Sequence, residues 1–257
     1  KFSGKVSLTV SCITLRPAKP IVAPGSEIIK SPNIAKLADT PPTVGITAHE
    51  TKGILFDSNS IIKSAISFSK LAKYDKKTKV IHCLPMFYMG GILDTFFSCI
   101  VSGSTIILNK KFSIMNILKF WDLPIKNDAN VLFLTPSIIT MICSIYKKPD
   151  IKLCQHINKY KLIISTGSKL NDKIRTTFFK LFKKKISVCY GATELGGPIS
   201  LQIDSECYRN DGGKVSKDTK VKIIKKNKKN HIYIKTPFLM KGYLKCKNFE
   251  DVKLYNG

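Results

Sequence analysis

The strongest constraint in this sequence is a rhythm: short apolar runs rich in β-branched residues alternate with helix-length segments from about residue 79 to residue 190. Strand-length runs occur at Lys79–Leu84, Thr105–Leu108, Val131–Leu134, Leu162–Ser165 and Ile186–Tyr190. Helical stretches fall between them: about Gly91–Val101, near Ser113–Phe120, Pro136–Tyr146 with proline in its first turn, and Asn171–Phe182 with Asn171 as N-cap. A strand that is apolar at nearly every position, rather than every second one, needs cover on both faces, and crossover helices supply it. The expected fold is therefore α/β, with a buried, mostly parallel sheet flanked by helices.

The texture changes after about residue 205. Val221–Ile224 and Ile232–Lys235 alternate and are joined by a lysine- and asparagine-rich turn, which predicts a hairpin. Residues 1–205 are thus expected to form an α/β core and residues 206–257 a β-rich subdomain of that core. At the other end, Leu8–Cys12 reads as a strand, being too short for a signal-peptide core. Between Gly90 and Leu108 the only charge is Asp94, but Gly103-Ser104 divides the stretch into a buried helix and a buried strand, not a membrane span.

Charge narrows the partners. The chain has 43 basic and 17 acidic residues and a net charge of +26, which attracts polyanions. Arginine, the usual reader of base edges, occurs only at Arg16, Arg175 and Arg209. The lysines are scattered, with runs such as Lys183–Lys185 and Lys225–Lys229 at element ends and turns. The pattern reads as a solvated surface with no specific nucleic-acid partner, compatible with peripheral contact to an anionic membrane. Eight cysteines show no CxxC pair and no zinc-type spacing with the four histidines, so a reduced, cytoplasmic setting is expected.

Active sites of open α/β sheets form at the carboxyl ends of the strands. Three loops there carry chemistry. Tyr190-Gly191-Ala192-Thr193-Glu194-Leu195-Gly196-Gly197 sets a hydroxyl beside a carboxylate among glycines, suited to a phosphate oxygen and its Mg²⁺. Ser165-Thr166-Gly167-Ser168-Lys169-Leu170 offers backbone amides and hydroxyls to a base or phosphate. Leu84-Pro85-Met86-Phe87-Tyr88-Met89-Gly90-Gly91 sets aromatic rings beside glycines, which suits the wall of an apolar pocket as well as plain core.

In this order the loops resemble the adenylate-forming superfamily of acyl-CoA synthetases, firefly luciferase and the adenylation domains of peptide synthetases. Tyr190–Glu194 matches its Tyr-Gly-x-Thr-Glu motif, and Leu84–Tyr88 parallels its Leu-Pro-x-Phe-His segment with Tyr88 in place of histidine. Ser165–Leu170 falls where the family surrounds the adenine, Thr135-Pro136-Ser137 resembles a family helix start, and Pro237–Tyr243 resembles a family strand. The resemblance implies ATP-dependent activation of a small carboxylic acid as acyl-adenylate, with coenzyme A as the thiol co-substrate. It implies that Thr193 contacts phosphate, that Glu194 holds Mg²⁺, and that Tyr190 and Gly191 lie against the adenine of ATP or AMP. Gly167 and Ser168 would line the base pocket, and Phe87, Tyr88 and Gly196 would face the acyl group.

The family's phosphate loop corresponds to Thr47-Ala48-His49-Glu50-Thr51-Lys52-Gly53. Thr47, Lys52 and Gly53 are retained as phosphate contacts, while the intervening glycines are gone and Glu50 adds negative charge. The chain reaches Leu254–Gly257 where the family approaches its ribose-binding Asp, so the C-terminal lid domain with its lysine is expected to be absent. Two rival readings follow: a catalytically degraded nucleotide- or acyl-binding relative, and a basic nucleic-acid or membrane-surface binder.

Overall fold

The computed structural model describes residues 54–86, 88–109, 114–203, 212–226 and 229–243. Within them the chain runs β1 (Ile54–Leu55), α1 (Ser58–Leu71), β2 (Lys79–His82), a π-helix (Gly90–Phe97), α2 (Ser98–Ser102) and β3 (Thr105–Leu108). A 3₁₀ helix (Ile114–Lys119), α3 (Asp122–Lys126), β4 (Val131–Leu134), α4 (Pro136–Ile145), α5 (Ile151–Asn158), β5 (Leu162–Ser165), α6 (Asp172–Phe182) and β6 (Ser187–Ala192) follow. A 3₁₀ turn (Thr193–Leu195) leads to β7 (Gly197–Leu201), β8 (Lys214–Val215), β9 (Lys220–Lys226), β10 (Lys229–Lys235) and β11 (Gly242–Tyr243).

One seven-stranded sheet has the order β3-β2-β4-β5-β6-β7-β8. β3 through β6 pair in parallel, and β7 and β8 are added antiparallel. All four residues of β4 and all four of β5 are buried. Alternation divides them between two cores. Leu132, Leu134 and Ile163 point to the side covered by Ile138, Ile142, Ile157, Phe178 and Phe182 of α4, α5 and α6. Val131, Phe133, Leu162 and Ile164 pack on the other side with Phe68 and Leu71 of α1. The mostly parallel sheet between helices is the one the apolar runs predict.

Helix starts follow local chemistry. Thr135 caps α4 and Pro136 takes its first position; Asn171 caps α6, accepting from Lys173 N at 2.8 Å. The alternating β9 and β10 form the expected hairpin, from Lys220↔Lys235 to Lys226↔Lys229.

Three features depart from the sequence expectation. The helix foreseen over 91–101 is a π-helix followed by α2, and the one near 113–120 is a 3₁₀ helix followed by α3. Helices α1 and α5 lie outside the helical stretches read from the sequence. In α1 serines occupy buried positions because each hydroxyl is satisfied: Ser60 by Asp57, Ser64 by Gly196 O, Ser67 by Asp218 and Ser69 by Ile66 O. The sheet also continues past Tyr190, because β6 runs to Ala192 and turns back through β7. Leu8–Cys12 lies outside the described residues.

Candidate functional site

The site forms where the connections after β2, β5 and β6 meet beyond the carboxyl ends of those strands. After β5, Thr166 N donates to Leu134 O at 3.0 Å, so the loop starts in register with β4. Gly167 then takes φ +93, and a Cβ there would stand 2.8 Å from Tyr88 Oη and 4.0 Å from Thr135 Cγ2. Only glycine satisfies both the left-handed backbone and the close approach of the ring. Tyr88 and Thr166 share a side-chain hydrogen bond, while burial keeps the Tyr88 phenol above its ordinary range.

β6 and β7 form a hairpin with Tyr190↔Ser200 and Ala192↔Gly197, irregular between Tyr190 and Gly191. Thr193–Leu195 is its tip. Gly196, at φ +78, closes the tip by donating from its N–H to Thr193 O at 2.9 Å. Three long-range contacts hold the turn from behind. Ser64 Oγ donates to Gly196 O at 2.8 Å, Met240 N donates to Glu194 O at 2.9 Å, and Phe238 lies against Gly196. The same segment continues into Lys241 N, which donates to Leu55 O at 2.7 Å, and into β11, which pairs with β1. The stretch Pro237–Tyr243 therefore buttresses the Thr193 turn.

Between these loops lies a cleft of about 810 Å³. Pockets for ligands of nucleotide size fall between about 300 and 1,000 Å³. Gly167, Ser168, Tyr88, Tyr190, Gly191 and Thr193, six of the residues singled out in the sequence, line this one cleft. Tyr190 lines the cleft and is 45% exposed. Glu194 is half-buried next to Thr193 and is not among the lining residues; Gly196, expected to face an acyl group, is buried against Phe238. Thr47, Lys52, Gly53 and Phe87 lie outside the described residues.

The cleft also has walls to which the motifs assign no role. Lys169, Asp172, Arg175 and Asp94 all line it. Arg175 is 6% exposed, on α6 one turn after Asp172. Its signal was rarity, one of three arginines in a lysine-rich chain. Asp94, 1% exposed, sits in the π-helix, and burial holds its carboxyl well above the usual carboxylate range. The available signal was a lone carboxylate inside an apolar stretch. Cys189 also lines the cleft; its Sγ donates to Ser165 O at 3.6 Å, and burial pushes the thiol up to about 12.

Basic groups, hydroxyls and an exposed aromatic ring around one cleft are the donor set for a phosphorylated aromatic ligand. Among the described residues, no three His, Cys, Asp or Glu side chains cluster to cage a metal. Among them, too, no helix is long and apolar enough to cross a membrane.

Comparison with known proteins agrees with this fold. The chain is 21% identical over 233 residues to a probable CoA ligase of Humulus lupulus, covering 84% of this chain and 38% of that one. It is 23% identical over 226 residues to a malonate–CoA ligase of Arabidopsis thaliana, covering 81% of this chain and 37% of that one. This chain thus spans well under half the length of either relative. Among solved structures, it superposes on the O-succinylbenzoate coenzyme A synthetase of Bacillus subtilis, in complex with AMP, with a TM-score of 0.66. There the identity is 17%, over 83% of this chain and 54% of that one, a likeness of fold. The sequence model described as AMP-binding enzyme matches residues 31–244, most of the chain, so this protein belongs to the AMP-binding enzyme family of adenylate-forming, acyl-CoA synthetase-like proteins.

Proposed function

We propose that this chain is the nucleotide- and acyl-binding core of an AMP-forming acid–thiol ligase. In that reaction a carboxylate oxygen of the substrate acid attacks the α-phosphorus of ATP, pyrophosphate leaves, and the acyl-adenylate passes its acyl group to a thiol such as coenzyme A. The observation that carries the reading is the meeting of the Gly167–Ser168 loop and the Thr193 turn in one cleft at the strand ends.

In this reading Tyr190 and Gly191 lie against adenine, Gly167 and Ser168 line the base pocket, and the Thr193 hydroxyl donates to a phosphate oxygen. Tyr88 and Phe87 face the acyl group, with Gly196 shaping the turn behind them. Thr47, Lys52 and Gly53 supply the phosphate loop, Lys52 neutralising charge as pyrophosphate departs. The protein's task is to bring two anions together in a fixed orientation, which lowers the barrier without covalent participation. Glu194, half-buried beside Thr193, would hold Mg²⁺, an ion bound through one or two carboxylates together with substrate phosphates. Bound there, Mg²⁺ supplies charge neutralisation on the phosphates. Residues 1–205 and 206–257 act as core and β-rich subdomain, in a cytoplasmic protein without a specific nucleic-acid partner.

A second reading, a relative that binds nucleotide without turning it over, is favoured by the loss of glycines between Thr47 and Lys52. Thermal stabilisation by ATP–Mg²⁺ that disappears in Glu194→Ala supports both readings. Pyrophosphate exchange dependent on a carboxylic acid, assayed on the full-length gene product, separates them. Exchange selects the ligase; nucleotide binding without exchange for any acid in a broad panel selects the binding relative; no nucleotide binding removes both.

A further inference from the structure

Asp94 is out of place for a core residue and well placed for a ligand. It belongs to the π-helix Gly90–Phe97, a helix type often found at functional sites, and is the only charged residue from Gly90 to Leu108. It lines the cleft beside Tyr88, Gly90 and Cys189, it is 1% exposed, and its Oδ1 has no hydrogen-bond partner among the described residues. A buried acceptor without a partner is unfavourable, and the surrounding helix is otherwise apolar or hydroxyl-bearing. Thr95, its neighbour, already satisfies its own hydroxyl by donating to Gly91 O at 2.8 Å and lies 2.6 Å from His82 Nδ1. Of the two polar side chains in this helix, Asp94 is the one with a buried oxygen left unpaired.

Burial keeps this carboxyl neutral, so it offers hydrogen bonding rather than charge, which suits the acyl end of the cleft better than the phosphate end. Its neighbours point the same way, since Tyr88 and Gly90 belong to the segment assigned to the acyl group. We infer that Asp94 sets substrate choice: the acid accepted by this cleft carries a hydrogen-bond donor, an amino or hydroxyl group, on its acyl chain, and Asp94 Oδ1 accepts from it. The inference rests on the proposed function and narrows its substrate class. A purely hydrocarbon chain would seal the unpaired oxygen away from water, and sites built to bond a polar group reject analogues lacking it by as much as about 10⁴-fold.

The test uses the full-length protein and stable acyl-adenylate mimics, adenosine 5′-sulfamates acylated with three chains of matched length: amino-substituted, hydroxy-substituted and plain alkyl. Affinities are read by calorimetry, with AMP as the acyl-free control. The inference expects the amino or the hydroxy mimic to bind about tenfold or more tightly than the alkyl one, the worth of one buried hydrogen bond to a carboxyl. Preference for the amino mimic identifies an ammonium donor, and preference for the hydroxy mimic identifies an alcohol. Asp94→Leu, checked for folding by circular dichroism, is expected to bring the alkyl mimic level with or ahead of the others; if it does not fold, the wild-type series decides alone. AMP binding with the alkyl mimic equal or tighter in the wild type overturns the inference and leaves the proposed function standing. Failure of AMP itself to bind overturns both.

Discussion

Two glycine-to-alanine substitutions test whether the Thr193 turn is held by tight packing against the 238–240 segment. Gly103 and Gly196 share nearly the same backbone conformation, φ +68 and φ +78, in different surroundings. At Gly103, which caps α2, an added Cβ would have Lys76 Cγ at 3.7 Å as its nearest contact, ordinary van der Waals distance. Gly103→Ala therefore reports the left-handed backbone alone, about 1–2 kcal/mol. At Gly196 the same methyl would meet Phe238 O at 2.6 Å and Phe238 Cβ at 2.9 Å. Those atoms cannot retreat freely, because Met240 N is bonded to Glu194 O at 2.9 Å and Lys241 N to Leu55 O at 2.7 Å. Overpacking of this kind adds about 1–3 kcal/mol, for a total near 2–5 kcal/mol. Urea denaturation followed by far-ultraviolet circular dichroism reads both numbers. Gly196→Ala is expected to lose at least about 1 kcal/mol more than Gly103→Ala. Where both variants are folded, it should also lose AMP affinity, since the turn carrying Thr193 must shift. Equal stability losses, or a milder loss at Gly196, would refute the clamp.

Three further substitutions have defined outcomes. Ser64→Ala removes the 2.8 Å hydrogen bond to Gly196 O and leaves a buried carbonyl unpaired, so chemical denaturation should show a loss of about 1–3 kcal/mol; no measurable change would contradict the contact. Phe133→Ala opens a cavity in the middle of β4, where Phe133 is fully buried against Phe68, and should cost about 3–5 kcal/mol by the same measurement. Asp94→Asn probes the buried carboxyl through pH. Burial keeps Asp94 protonated in the folded chain at pH values where the unfolded chain has released that proton, so wild-type stability falls as pH rises above the unfolded value. Asn does not ionise, so the variant gains on the wild type above about pH 4, at up to about 1.4 kcal/mol per pH unit, and the gain vanishes below it. A difference that stays flat from about pH 3 to 7 would refute the buried, neutral carboxyl.

The central layers of this protein and the order of its motifs are legible in its residues alone. Val131–Leu134 and Leu162–Ser165 are apolar at nearly every position, and such runs have nowhere to go but a sheet covered on both faces. Thr135-Pro136 and Asn171 mark helix starts through chemistry confined to a few neighbouring residues, and Tyr190–Glu194 carries its family signature as a contiguous string. The serine-rich helix α1 escaped that reading because its hydroxyls are satisfied partly by residues far along the chain, Ser64 by Gly196 and Ser67 by Asp218.

Tertiary structure decided the cleft. Gly167 against Tyr88, Phe238 behind Gly196, and Arg175 and Asp94 in the lining are contacts between residues tens of positions apart or more. Whether Asp94 meets water, a partner or neither depends on what the other loops leave open. Periodicity records which face of an element is apolar; it does not record which loops meet at the strand ends, and that meeting creates the cleft.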